Sequence, residues 1–134
     1  MRILIVEDDF ISRKVLEKQL TSYGEVDVTV NGREALDAVR MQLDQGDPYN
    51  LICLDIMMPE MDGQEALREI RAAEKNSGIA GLDRARIVMT TALNESRDIL
   101  SSFRDECDGY LVKPIKKQDI KKLFDMLEIE APAK

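Results

Sequence analysis

Leu51-Ile52-Cys53-Leu54-Asp55 is a run of four apolar residues closed by a carboxylic acid. Unbroken apolar runs of this length, without polar alternation, read as strands buried on both faces of a sheet. An acid that ends such a strand is costly to bury without a partner, so Asp55 is the first candidate for a functional side chain. Outward from this segment the same form recurs. Ile3-Leu4-Ile5-Val6 stops at Glu7-Asp8-Asp9, Ile87-Val88-Met89 stops at Thr90-Thr91, and Tyr110-Leu111-Val112 stops at Lys113-Pro114. Val26, Val28 and Val30 alternate with polar residues up to the turn-forming pair Asn31-Gly32, which marks one more strand.

Between these strands the apolar spacing is helical. Ile11, Val15, Leu16, Leu20 and Tyr23 predict a helix from Phe10 to Tyr23 with Gly24 as its stop. Ala35, Leu36, Val39 and Leu43 predict a second, broken by Gly46-Asp47-Pro48. Ala66, Leu67, Ile70 and Ala73 predict a third after the loop from Pro59 to Gly63. Ile99, Leu100, Phe103 and Cys107 predict a fourth with Asn94 as N-cap, and Ile120, Leu123, Phe124 and Leu127 a last one. Five strands alternating with five helices define an α/β fold. The expectation is a doubly wound, five-stranded parallel sheet between two helical layers, a three-layer α/β/α arrangement with right-handed crossovers. Ligands in such folds bind beyond the carboxyl ends of the strands. Glu7, Asp8, Asp55, Thr91 and Lys113 all fall at those ends.

The 134 residues, 44% of them hydrophobic, suffice for one core. The expected division is a domain over residues 1–127 and a tail or start of a linker over 128–134. The stretch from Glu74 to Arg86, with Gly78, Gly81 and several charges, reads as a helix end and a long exposed loop. A formal net charge of −7 opposes contact with phosphate backbones, so no direct nucleic-acid partner is expected. No apolar run approaches the roughly 20 residues that span a bilayer, and no signal-peptide pattern opens the chain, so the expected location is cytoplasmic, away from membranes. Cys53 and Cys107 sit in apolar patterns and read as buried free thiols in a reducing compartment. The chain has no histidine. It therefore lacks the commonest general base and zinc ligand, and any phosphohistidine it meets belongs to another protein.

Three carboxylates, Glu7, Asp8 and Asp55, gathered in one pocket would repel one another and resist ionisation unless a cation neutralises them. Ligands that are all oxygens favour a hard ion, and Mg²⁺ commonly binds through one or two carboxylates together with water and phosphate oxygens. A carboxylate beside such an ion can act as nucleophile toward phosphorus, forming an aspartyl phosphate. Lys113 would then supply positive charge to the transferring oxygens and Thr91 a hydroxyl donor. Asp9 reads as a helix-start charge.

The run Ile-Leu-Ile-Val-Glu-Asp-Asp at the start, Leu-Asp-Ile-Met-Met-Pro-Glu-Met-Asp-Gly around Asp55, Thr91-Ala92 and Lys113-Pro114 together resemble the receiver domain of bacterial two-component response regulators, the CheY-like, flavodoxin-like fold. The resemblance spans nearly the whole chain, in order. It implies that Asp55 is the phosphoacceptor, that Asp8 binds Mg²⁺ directly and Glu7 directly or through water, and that the Met57 carbonyl is a further ligand. It also implies that Thr91 follows the phosphoryl oxygen, that Lys113 pairs with Asp55 or its phosphate, that Tyr110 moves inward on activation, and that Pro114 follows a cis peptide. The implied partners are a sensor histidine kinase or a histidine phosphotransfer protein. A downstream effector or output domain would be reached through the fourth helix, the last strand and the last helix, with homodimerisation through that surface left open. The implied role is a phosphorelay switch and not a classical enzyme, limited to self-phosphorylation from a donor and slow self-dephosphorylation. Met57 and Leu93, apolar where faster relatives are polar, predict a long-lived phosphoryl state.

Two other readings differ in testable residues. A phosphohydrolase of the haloacid-dehalogenase type would need an Asp-x-Asp motif, and here Ile56 and Met57 follow Asp55. A phosphorylation-independent domain on the same fold would lack the Asp, Thr or Lys, and all three are present.

Overall fold

The computed structural model describes residues 1–56, 58, 61–92 and 107–129. Five parallel strands form one sheet: β1 (Arg2–Val6), β2 (Glu25–Thr29), β3 (Leu51–Asp55), β4 (Arg86–Thr91) and β5 (Gly109–Val112), in the order β2-β1-β3-β4-β5. Four α helices lie among the described residues: α1 (Phe10–Leu20), α2 (Gly32–Asp44), α3 (Gly63–Asn76) and α4 (Lys117–Met126). Of the fourth helix expected from the sequence, Asn94, Ile99, Leu100 and Phe103 lie outside the described residues, while Cys107, its last expected member, is described and is not helical.

Alternation along the strands sends side chains to two cores, one on each face. Ile3, Ile5, Leu51, Cys53, Val88 and Leu111 face Leu16 and Leu20 of α1 and Ile120, Leu123 and Phe124 of α4. Leu4, Val6, Ile52, Leu54, Ile87 and Met89 face α2 and α3, whose buried stripes are the predicted Ala35-Leu36-Val39 and Ala66-Leu67-Ile70-Ala73. This two-sided burial is why β1, β3 and β4 carry no polar alternation. Each fully buried Leu or Ile contributes about 1.5–3 kcal/mol relative to exposure, so the doubled core supplies most of the driving force for the fold.

Several expectations are corrected. Helix α1 ends at Leu20 and not at Tyr23, and Ile11 and Val15 are exposed. Its inner stripe is Leu16 and Leu20, four residues apart. At about 100° per residue Val15 stands about 100° and Ile11 about 140° away from Leu16. β2 is an edge strand, covered less well than the others, and Val28 and Val30 remain exposed. The stretch from Glu74 to Arg86 begins with the expected helix end, α3 running to Asn76, but the loop that follows is interrupted by a 3₁₀ turn at Gly81–Asp83. Glu74 is buried, bonded to the Arg71 guanidinium at 2.8 Å and to the backbone N–H of Ala85 at 2.7 Å. Cys53 is a buried free thiol whose pKa burial pushes up to about 12, and Cys107 is a half-buried one, also pushed up by burial. Among the described residues no helix is long and apolar enough to cross a membrane.

Candidate functional site

From β1 the chain winds toward β2 on one side and toward β3 and β4 on the other. The crevice between the ends of β1 and β3 is therefore the switch point of the sheet. β1 ends at Val6 and delivers Glu7 and Asp8 there; β3 delivers Asp55 as its last residue. Carboxylate oxygens of Glu7, Asp8 and Asp55 lie within 4.8 Å of one another. Glu7 and Asp55 are buried, at 2% and 5% exposure, while Asp8 is exposed at the mouth. The burial of the two inner acids takes the pocket beyond a solvated acidic cluster.

The turn from strand to helix is set by Asp9. Its backbone is extended and its carboxylate accepts the N–H of Ser12 at 2.8 Å, the N-cap of α1. That bond, first among the causes, holds the Asp9 carboxyl below its usual range. The Asp9 N–H in turn donates to Oε2 of Glu7 at 3.2 Å. Across the pocket, Gly63 brings the start of α3 against β3: its N–H donates to the Ile56 carbonyl at 3.0 Å, and a Cβ there would collide with the carbonyl oxygen of Asp55.

Lys113 follows β5 and closes the site. Its backbone N–H donates to the Thr91 carbonyl at 2.7 Å, and the Lys113-Pro114 peptide is cis, as the resemblance implies. Its Nζ stands 2.6 Å from Glu7 and 3.3 Å from Asp55. Gln19 of α1 donates to the Ile115 carbonyl at 3.0 Å and ties this loop to the first helix.

The electrostatics follow from this crowding. Burial first, then the hydrogen bond and charge of Glu7, push the Asp55 pKa up to about 7, against the lowering pull of Lys113. The carboxylates of Glu7 and Asp55 raise Lys113, which burial alone would lower. The pocket holds more negative charge than one lysine can neutralise. A donor set of three carboxylates with no nitrogen or sulfur fits a hard divalent cation such as Mg²⁺.

Of the other predicted residues, Thr91 is buried at the end of β4, its hydroxyl donating to the Ala92 carbonyl at 3.3 Å. Tyr110 is half-buried on β5 and packs against the core beneath α2 and α3. Met57 and Leu93 lie outside the described residues. Arg13 was not expected at the site. It donates to the carbonyl of Glu7 at 3.0 Å and lies 3.4 Å from that of Asp8.

The family model for the response regulator receiver domain matches residues 3–125. Hybrid signal transduction histidine kinase L of Dictyostelium discoideum is 38% identical over 124 residues, which are 92% of this chain and 7% of that protein. The osmosensing histidine protein kinase SLN1 of Saccharomyces cerevisiae is 30% identical over 126 residues, 92% of this chain and 10% of that protein. The chain thus spans a small fraction of these relatives. Among solved structures, the receiver domain of the histidine kinase CKI1 from Arabidopsis thaliana, complexed with Mg²⁺ and BeF₃⁻, superposes with a TM-score of 0.76 at 34% identity. That match covers 92% of this chain and 89% of the other.

Proposed function

Because the chain belongs to the response regulator receiver domain family, we propose that it is the phosphoacceptor switch of a two-component phosphorelay. It takes a phosphoryl group from a partner's phosphohistidine onto Asp55 and changes conformation to control a downstream partner. The observation that supports this most strongly is the buried pair Glu7 and Asp55, with Asp8 at the mouth and the Lys113 ammonium between the two buried acids.

Glu7, Asp8 and Asp55 would hold Mg²⁺, with the Met57 carbonyl as a further ligand. Bound there, Mg²⁺ neutralises the acids and supplies positive charge to phosphoryl oxygens. An ionised Asp55 oxygen attacks phosphorus; the new O–P bond forms as the P–N bond to the donor imidazole breaks, and its electron pair stays on that nitrogen. The ionised form of Asp55 has no proton to lose, so the transfer itself needs no general base, which suits a chain without histidine. Lys113 pairs with the added charge, and Thr91 donates its hydroxyl to a phosphoryl oxygen. Tyr110 turns inward, a shift between two conformations that the phosphoryl group biases.

The role is a signalling one, limited to uptake from a donor and slow self-dephosphorylation. The partners are a histidine kinase or phosphotransfer protein in the cytoplasm, and an effector or output domain read through the segment after Thr91, β5 and α4, a surface open to homodimerisation as well. The domain is residues 1–127, with 128–134 a tail or the start of a linker whose first two residues fold back as the cap of α4.

The test is incubation with acetyl phosphate, with and without Mg²⁺, followed by intact mass. A Mg²⁺-dependent gain of one phosphoryl group that Asp55→Asn abolishes supports the reading; labelling that survives in Asp55→Asn refutes it.

A further inference from the structure

Arg13 takes no part in the phosphoryl chemistry above, yet its side chain bends back to the turn that delivers the acids. Glu7 and Asp8 lie just past β1, where partners in the sheet run out, and carbonyls at such an exit need another donor. Arg13 Nη1 supplies it, at 3.0 Å to Glu7 and 3.4 Å to Asp8. The guanidinium is itself held over the ring of Phe10, with Cζ 5.5 Å from the centroid. With the Asp9 N–H fixing Oε2 of Glu7 and Asp9 capping α1, the turn over 7–9 is fastened through backbone and side chain together.

We propose that Arg13 is a positioning residue for the metal pocket: by gripping the Glu7 and Asp8 carbonyls it fixes where their carboxylates stand relative to Asp55. The inference rests on the reading of Glu7, Asp8 and Asp55 as a Mg²⁺ site. Charge and geometry pull in opposite directions here. A cation near a cation site opposes metal binding, so if Arg13 acted by charge alone, its neutral replacement would bind Mg²⁺ more tightly. If it acts by holding the turn, the replacement binds more weakly, as happens when the partners that orient metal ligands are removed.

The experiment is a calorimetric Mg²⁺ titration of the wild type, Arg13→Met and Arg13→Lys, with thermal melting of each in EDTA. The expected result is Mg²⁺ binding weakened about 10-fold in Arg13→Met and partly restored in Arg13→Lys, which keeps the charge and one donor, with EDTA melting close to wild type throughout. Equal or tighter binding in Arg13→Met overturns the inference and leaves the phosphoacceptor reading standing. Loss of folding in Arg13→Met shifts the decision to Arg13→Lys: a folded Arg13→Lys with wild-type affinity overturns it, and a weakened one supports it. A wild type that binds no Mg²⁺ removes the underlying reading and the inference with it.

Discussion

Lys113 Nζ lies closer to Glu7, at 2.6 Å, than to Asp55, at 3.3 Å. The ammonium therefore stands between two buried acids and does not serve Asp55 alone. Lys113→Met leaves those acids facing each other without it. We expect a loss of roughly 2 kcal/mol in EDTA at neutral pH, below the 3–5 kcal/mol of a fully buried pair because Lys113 is partly exposed. Mg²⁺ should restore much of the loss, since the ammonium no longer competes for Glu7. Urea unfolding with EDTA and with Mg²⁺ measures both; a variant as stable as wild type in EDTA would show that the lysine is not neutralising the pair.

The raised pKa of Asp55 sets a pH dependence of definite sign. The unfolded carboxyl titrates near its ordinary 3.8, whereas the folded metal-free one titrates at about 7. Between these values the folded state holds a proton that the unfolded chain has released, so this group's contribution to stability falls as pH rises from about 4 to about 7 and stays lost above. Asp55→Asn removes that slope and should stabilise the metal-free protein at pH 8 by roughly 1–2 kcal/mol, the full shift being screened by solvent and Lys113. Mg²⁺ affinity should drop as pH falls below about 7, because the metal must displace the proton. Parallel stability profiles for wild type and Asp55→Asn in EDTA would count against this.

Much of this was legible in the residues themselves. β1, β3 and β4 announce themselves because burial on both faces leaves no room for polar alternation, and the acids and lysine stand out where those runs stop. Burial on the flanks was less legible. Val28 alternates as a strand should, but an edge position leaves it exposed, and nothing local encodes which strand is the edge. Ile11 and Val15 share helical spacing with Leu16 and Leu20, yet α1 buries only a narrow stripe. Arg13 was invisible because its contacts are to backbone carbonyls, which carry no side-chain signature. Arg71 and Glu74 were equally hidden, since a charged pair three residues apart on a helix ordinarily faces solvent.

That pair instead closes a buried network. Arg71 donates to Glu74 at 2.8 Å, to the Ala85 carbonyl at 2.9 Å and to Asp108 at 3.2 Å, while Asp108 also accepts the Ile87 N–H at 2.8 Å. It ties the end of α3 to the starts of β4 and β5. Arg71→Met leaves the buried Glu74 carboxylate without its cation and should cost about 3–4 kcal/mol. Replacing both residues, Arg71→Met with Glu74→Met, should recover part of that loss, because the uncompensated charge is gone. Urea unfolding of the single and double variants decides it; a double variant less stable than the single would mean that the Glu74 bond to the Ala85 N–H, and not the ion pair, dominates.

The end of α4 offers a gain in stability. Glu128 N–H donates to the Asp125 carbonyl at 3.3 Å and Ile129 N–H to the Phe124 carbonyl at 2.8 Å, while Ile129 packs on the core below. This is the bonding of a Schellman cap, which places one residue in the left-handed region, usually glycine. Here it is Glu128, at φ 60°. Its Cβ makes that conformation unfavourable, and Glu128→Gly relieves it at the expense of a more flexible unfolded chain. The net expectation is a gain of about 0.5–1 kcal/mol, read as a rise in melting temperature of roughly 2–5 °C. Glu128→Val, β-branched and worse suited to positive φ, should shift it the other way. If glycine lowered the melting temperature, the Glu128 side chain would have to contribute more than its backbone strain removes.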